Sequence, residues 1–96
     1  MQVSVHAFSM VGSVLGKNVV HLDLPEGATV REAINEIVQL GGPEAKKLIL
    51  APDGESLKIS VIIDGKSAGL TTPLYDGVDV NLMVTIGGGT IAKPRS

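Results

Sequence analysis

The sequence predicts an α+β domain in which one main helix lies across a mixed sheet of four to five strands. Three observations support this fold class. Several short segments alternate apolar with polar residues, as strands with one face on a core do. One longer segment has apolar residues at helical spacing. No repeat and no domain boundary interrupts the chain before residue 87, so these elements are expected to share one core.

The composition also favours strands. Apolar residues make up 44% of the chain, but Phe8 and Tyr75 are its only aromatic residues, so Val, Ile and Leu must build the core. The absence of cysteine excludes disulfides, thiolate metal sites and cysteine nucleophiles. A net charge of −2 argues against a nucleic-acid partner. Neither a signal peptide nor a membrane-spanning run is evident, so we expect a cytoplasmic protein.

The first two strands are predicted in residues 2–8 and 18–24. Their inward-facing residues are Val3, Val5, Ala7, Val20, Leu22 and Leu24. A loop containing Gly12 and Gly16 joins the two segments, and this short link favours an antiparallel hairpin.

Two histidines lie on the polar faces of these strands. If Val5 pairs with Leu22, His6 and His21 become cross-strand neighbours. No third ligand is evident in the sequence, so we expect exposed imidazoles and no metal site.

The main helix is predicted to begin at Thr29, which forms a capping box with Glu32. Its apolar stripe consists of Val30, Ala33, Ile34, Ile37 and Val38. The sequence Gly41-Gly42-Pro43 ends the helix, because glycine can adopt the left-handed cap and proline cannot continue the turn. Residues 44–50 could add one or two further helical turns.

The second half of the chain predicts three more strands. Residues 58–64 form the third, and the turn at Asp64-Gly65 lets residues 66–68 pair back as a short fourth. The last strand runs from residue 77 towards three glycines, with inward-facing residues Val78, Val80, Leu82, Val84 and Ile86. In this order the first and last strands can lie parallel in the centre, with the helix as the crossover. That is the β-grasp, or ubiquitin-like, arrangement.

Three stretches carry a resemblance to a known family. They are residues 3–17 (VSVHAFSMVGSVLGK), which place Phe8 at the family's aromatic position, residues 24–34 (LPEGATVREAI) and residues 72–80 (TPLYDGVDV). A strand then continues from the third stretch to Gly88-Gly89 without a gap. With these features the chain resembles the MoaD/ThiS family of sulfur carriers, which includes the molybdopterin-synthase small subunit and the thiamine sulfur carrier.

The resemblance implies that the chain is a carrier and not itself an enzyme. An E1-like adenylating enzyme would use ATP to convert the carboxyl group of Gly89 to an acyl-adenylate, and sulfur would displace AMP to leave a thiocarboxylate. A synthase subunit would accept this sulfur. Ile86 and Gly87 would form the arm that presents Gly88 and Gly89, which lack side chains and so can enter a narrow channel. The carrier itself would bind no cofactor.

Two departures from the family pattern affect this interpretation. Residues 90–96 follow the diglycine, so we expect a carrier domain over residues 1–89 and a flexible extension that a protease, such as a metalloprotease, removes. Residues 84–87 lack the proline pair common in molybdopterin-synthase subunits. The receiving pathway, molybdopterin, thiamine or another, therefore stays open.

Near the arm, Leu74, Leu82 and Met83 are candidates for an apolar docking surface. Asp76 and Asp79 could meet a basic groove on the activating enzyme, although Asp76 could simply form a turn with Gly77. Two other functions stay open: a ubiquitin-like modifier joined to lysines of other proteins, and a β-grasp binding module that never uses its terminus.

Overall fold

The computed structural model describes residues 1–8, 10–54 and 56–84. Within these residues the chain forms five strands and two helices, in the order β1 (Gln2–Ala7), α1 (Met10–Leu15), β2 (Val19–Asp23), α2 (Val30–Ile49), β3 (Ser60–Ile63), β4 (Lys66–Ala68) and β5 (Val78–Met83).

The five strands form one mixed sheet in the order β2-β1-β5-β3-β4. β1 is antiparallel to β2 and parallel to β5, while β3 is antiparallel to both β4 and β5. The first and last strands therefore lie side by side with α2 in the crossover between them. The predicted α+β fold is confirmed.

The β1–β2 hairpin is also confirmed, but its register differs from the one considered above. Val5 lies opposite Val20, which places His21 opposite Ser4 rather than beside His6. A slip of two residues keeps the same side chains facing the core, so the apolar pattern cannot distinguish the two registers.

The connection between β1 and β2 contains a short helix where the sequence predicted a loop. α1 buries Val11 and ends at Leu15, and the following Gly16 has a φ of +74°, the left-handed conformation that glycine adopts after a helix. A Cβ atom at Gly12 would lie 2.9 Å from the backbone oxygen of Ala7, so this turn packs closely on the end of β1. Only six residues are helical, too few for a recognisable apolar stripe.

Helix α2 begins as predicted. The Glu32 carboxylate accepts hydrogen bonds from the Thr29 backbone N–H at 2.7 Å and from its hydroxyl at 3.0 Å. Gly42, with φ 72° and ψ −159°, interrupts the helical geometry, and a second helical segment follows to Ile49. The predicted stop and the additional turns are therefore both present.

Gly42 offers a test of this kink, since its backbone conformation is one that essentially only glycine adopts. We expect Gly42→Ala to lower the free energy of unfolding by about 1–3 kcal/mol in a denaturant titration. Gly69→Ala is the matched control, because a Cβ atom there meets nothing within 4 Å. An equal loss of stability in both variants would contradict the strain argument.

The core lies between the helices and one face of the sheet. Its fully buried side chains include Val3, Val5, Val30, Ile34, Ile37, Ile49, Val61, Val78, Val80 and Leu82. The alternate residues of β1, β2 and β5 are exposed or half-buried. We refer to the side of the sheet that carries these alternate residues as the open face.

Candidate functional site: the open face at the end of β5

Central strand β5 carries the chain towards the predicted arm. Burial alternates to the end of this strand: Leu82 is fully buried, Met83 is exposed, and the following Val84 is half-buried. Ile86, Gly87, Gly88 and Gly89, together with residues 90–96, lie outside the described residues. Their roles therefore stay predictions.

Two large apolar side chains lie on the open face where β5 ends. Ala7 is opposite Leu82, and the Phe8 N–H donates to the Leu82 oxygen at 3.1 Å. Phe8 and Met83 therefore follow side by side on adjacent strands and alternate onto the open face. Each is 45% exposed. We call these two residues the exit patch.

The exit patch changes the docking surface predicted from the sequence. Met83 is exposed as expected, but Leu74 and Leu82 are 7% and 0% exposed and cannot form a docking surface. Leu82 belongs to the inward-facing set of β5. Leu74 belongs to the buried core, and its backbone N–H donates to the Ala28 oxygen at 2.9 Å.

The sequence did not identify Phe8 as part of an exposed apolar pair with Met83. Phe8 was named from the sequence only because it occupies the aromatic position of the MoaD/ThiS family. The alternation of β1, extended by one residue beyond Ala7, would have placed it on the same face as His6.

Asp76 lies at the other end of β5. Its carboxylate accepts a hydrogen bond from the Gln2 N–H at 2.7 Å, and the Gly77 N–H donates to the Gln2 oxygen at 2.7 Å. Asp76 and Gly77 thus fasten the start of β5 to the start of β1. With about 3.3 Å per residue, this point is roughly 17 Å or more from the end of β5. These contacts give Asp76 a structural role in joining β1 to β5, and its contact with an activating enzyme stays a prediction.

Asp79 remains on the open face and pairs with β1. Its carboxylate oxygen is 3.0 Å from Nε2 of His6. On the neighbouring strands, Nδ1 of His21 is 3.2 Å from the Ser4 hydroxyl. Within the described ranges, no group of three or more His, Cys, Asp or Glu residues could hold a metal ion. Each histidine instead contacts one side chain on an adjacent strand: His6 contacts Asp79, and His21 contacts Ser4.

A tyrosine–carboxylate contact positions the loop that leads into β5. The Tyr75 hydroxyl donates to both carboxylate oxygens of Asp64, at 2.9 and 2.8 Å. Asp64 and Gly65 have φ values of 53° and 77° in the turn between β3 and β4. The contact therefore joins this turn to the loop before β5. The hydrogen bond to Asp64 raises the pKa of Tyr75 above 10.0, because ionisation would face the phenolate with a carboxylate.

This contact predicts a measurable titration. Tyr75 is the only tyrosine and there is no tryptophan, so tyrosinate absorbance reports this one group. We expect its pKa to lie above 10.0 and to fall back in Asp64→Asn. The stabilising effect of the contact is fully present below pH 10.0 and is lost as the pH rises through the raised pKa. Glu36→Gln, on the exposed side of α2, should leave the titration unchanged; an equal shift in both variants would contradict the assignment.

Taken together, the parallel β1–β5 pair, the α2 crossover and the single covered face define a ubiquitin-like β-grasp protein. Solved structures agree with this class. The chain is similar to SAMP1, small archaeal modifier protein 1, from Haloferax volcanii, with 26% identity, a TM-score of 0.82 and coverage of 93% of this chain and 100% of that one. It is also similar to a putative molybdopterin converting factor subunit 1 from Pyrococcus furiosus, with 27% identity, a TM-score of 0.70 and coverage of 85% and 94%.

A third similar structure has a partner bound. It is the complex of subunits 1 and 2 of the molybdopterin-converting factor from Helicobacter pylori, with 21% identity, a TM-score of 0.58 and coverage of 93% and 100%. At this identity the likeness concerns the fold alone. The sequence matches no protein-family model and no curated protein.

These structures confirm the predicted resemblance to the MoaD-type group of ubiquitin-like β-grasp sulfur carriers. The neighbours are small carrier and modifier proteins. None of the helices in the described residues is long and apolar enough to span a membrane.

Proposed function

We propose that this chain is a sulfur carrier whose residues 1–89 form the carrier domain and whose Gly89 carboxyl group is the attachment point. The observation that carries the proposal is the position of β5, a central strand that ends in the exit patch and precedes the diglycine in the sequence. The absence of cysteine supports it, because no side-chain thiol is available to carry sulfur.

The chemistry begins with activation of the terminus. A carboxylate resists nucleophiles because its charge is delocalised. On an E1-like partner, the Gly89 carboxylate attacks the α-phosphate of ATP, which releases pyrophosphate and forms an acyl-adenylate. A sulfide nucleophile then attacks the carbonyl carbon; a C–S bond forms, the C–O bond to AMP breaks, and a thiocarboxylate remains.

A free carboxyl group at Gly89 requires removal of residues 90–96. In the full chain this group is an amide with Thr90 and cannot be adenylated. A protease, for which a metalloprotease is a suitable class, must therefore hydrolyse the Gly89–Thr90 bond first. We place these steps in the cytoplasm, where ATP is available to the activating enzyme.

The exit patch provides the docking surface in this proposal. Exposed Phe8 and Met83 side chains beside the departing chain would bury apolar area against the adenylating enzyme and then against the sulfur-accepting synthase subunit. Asp79 is exposed on the same face of β5 as Met83 and would add a polar contact with the partner. The two-subunit complex of the Helicobacter pylori neighbour supports a partner of the synthase kind.

Intact mass tests the proposal directly. The chain ending at residue 89 and the full chain are incubated with extract of the native cell, ATP and sulfide. We expect the shorter chain to gain the mass of one sulfur replacing one oxygen. The full chain should do so only after losing residues 90–96, and neither should do so without ATP. An unchanged shorter chain in the presence of active extract would contradict the proposal.

A protein modifier is the second candidate, favoured by the 26% identity to SAMP1, a small archaeal modifier protein. Both functions begin with the same adenylate. In the same incubation, ATP-dependent ladders of larger covalent products would identify a modifier that forms isopeptides with lysines. A tail that stays intact in the native cell, with no activating partner, would instead indicate a binding module.

A further inference from the structure

Three lysines surround a cavity whose lining residues are distinct from the exit patch. Lys46, Lys47 and Lys58 line a space of about 380 Å³ whose remaining wall consists of Leu50, Ala51 and Pro52. All three lysines are exposed. The cavity therefore combines an apolar floor with a cationic rim.

Backbone contacts hold these lysines together. Lys46 and Lys47 occupy the last turn of α2, where the Leu50 N–H donates to the Lys46 oxygen at 2.9 Å. The Lys58 N–H donates to the Ile49 oxygen at 2.7 Å, and its ammonium group donates to the Lys47 oxygen at 2.9 Å. The segment before β3 is thus fixed against the end of the helix.

The strand register places the cavity at the end of the sheet where β5 ends. Ser60, the first residue of β3, lies opposite Met83, the last residue of β5. Lys58 precedes Ser60 by two residues, on the side towards which the chain leaves β5. The cationic rim and the exit patch therefore share one end of the molecule.

The carbonyl end of α2 accounts for the positions of the three lysines. Lysines in the last turn of a helix interact favourably with its free carbonyls, which accounts for Lys46 and Lys47. The Lys58 ammonium group also donates to a carbonyl of this turn, that of Lys47, so three ammonium groups lie on the rim of one cavity in a chain of net charge −2. Among the described residues, neither Lys46 nor Lys47 forms an ion pair. Three ammonium groups around one apolar cavity favour a ligand of the opposite sign.

We propose that this cavity binds an acidic segment of a partner protein. An apolar side chain of the segment packs on Leu50 and Pro52, and its flanking carboxylates meet the three ammonium groups. The apolar floor, the absence of an aromatic lining residue and the net negative charge favour a peptide over a nucleic acid. That this partner is also the protein that receives the C-terminus rests on the function proposed above.

A synthetic peptide tests the cavity without any enzyme. The probe is a capped peptide with a central leucine flanked by aspartates and glutamates, titrated into the isotopically labelled full chain and followed by amide NMR shifts. We expect shifts confined to residues 46–51 and 58, and an affinity that falls with added salt. Lys46→Glu with Lys58→Glu should weaken binding by about tenfold or more. Lys46→Glu alone, which keeps the Lys58 hydrogen bond, should weaken it by less.

Lys66→Glu is the matched control for each single charge change. It also reverses an exposed lysine, but it lies opposite Ile63, at the far end of β3. We expect it to bind the peptide normally. The proposal would be overturned by absence of binding or by an equal loss in Lys66→Glu. It would also be overturned if a peptide with amides in place of its carboxylates bound equally well, or if the chain preferred oligothymidylate. Because the titration needs neither ATP nor processing, its failure would leave the sulfur-loading test unaffected, and the reverse also holds.

Discussion

In the chain ending at residue 89, we expect Gly89→Val to reduce sulfur loading by roughly 100-fold or more, since a small displacement of a reacting group can cost that much in rate. The valine side chain would prevent close approach of the terminal backbone to the nucleotide of the activating enzyme. The measurement is the initial rate at which the intact mass gains sulfur, in extract with ATP and sulfide.

Gly69→Val in the same shortened chain is the control for this substitution. A Cβ atom at Gly69 would meet nothing within 4 Å, so the change adds the same side chain without a clash at a glycine outside the terminal diglycine. It should load at the original rate. Normal loading of Gly89→Val would show that the terminal glycine is not required and would contradict the proposed mechanism.

The largest effect on stability is expected from Leu82→Ala. Leu82 is 0% exposed and lies between Ala7 on β1 and Val61 on β3, at the centre of the sheet. Removing its side chain leaves a cavity in the core, so the free energy of unfolding should fall by about 2–5 kcal/mol. For a domain with a total stability of about 5–15 kcal/mol this is a large share. Denaturant unfolding followed by circular dichroism measures it.

Met83→Ala is the matched variant on the next residue of the same strand. Because Met83 is exposed on the open face, its loss should change the free energy of unfolding by only about 0.5 kcal/mol. It should instead weaken binding to the activating partner, by about 1 kcal/mol or more if the exit patch is an interface centre. Equal destabilisation by the two substitutions would contradict the assigned faces of β5.

These two variants separate the two roles of the last strand. Its inward residues hold β5 in the centre of the sheet, and the neighbouring outward residue is available to a partner. The exit patch and the lysine-lined cavity are likewise distinct surfaces at one end of the molecule. Phe8 and Met83 supply apolar area, while Lys46, Lys47 and Lys58 supply charge.

The regular elements could be predicted because their signals are local. Alternation along β1 and β5 identified their buried residues, and Thr29 with Glu32 identified the start of α2. Helix α1 could not be predicted in the same way. It is only six residues long, and its stability depends on packing against β1 and α2 rather than on a strong intrinsic preference.

The candidate site was predictable only in part for a similar reason. Met83 was identified because it is an apolar residue on the polar side of an alternating strand. Leu74 was misplaced because it lies in an irregular segment, where no period indicates which side chains face inward. The lysine-lined cavity joins residues from two segments through the Ile49–Lys58 contact, and their spacing in the chain gives no sign of it.

The sequence by itself determined the strands, the main helix, the order that leads to the β-grasp arrangement, and the diglycine that motivates a role for the terminus. Only the tertiary structure decided the register of the hairpin, the burial of Leu74, and the meeting of Phe8 with Met83 and of Lys58 with the end of α2. The physical reason is that apolar periodicity reports which face of an element is buried. It does not report how far one element is shifted along another, and that shift sets which surface residues become neighbours.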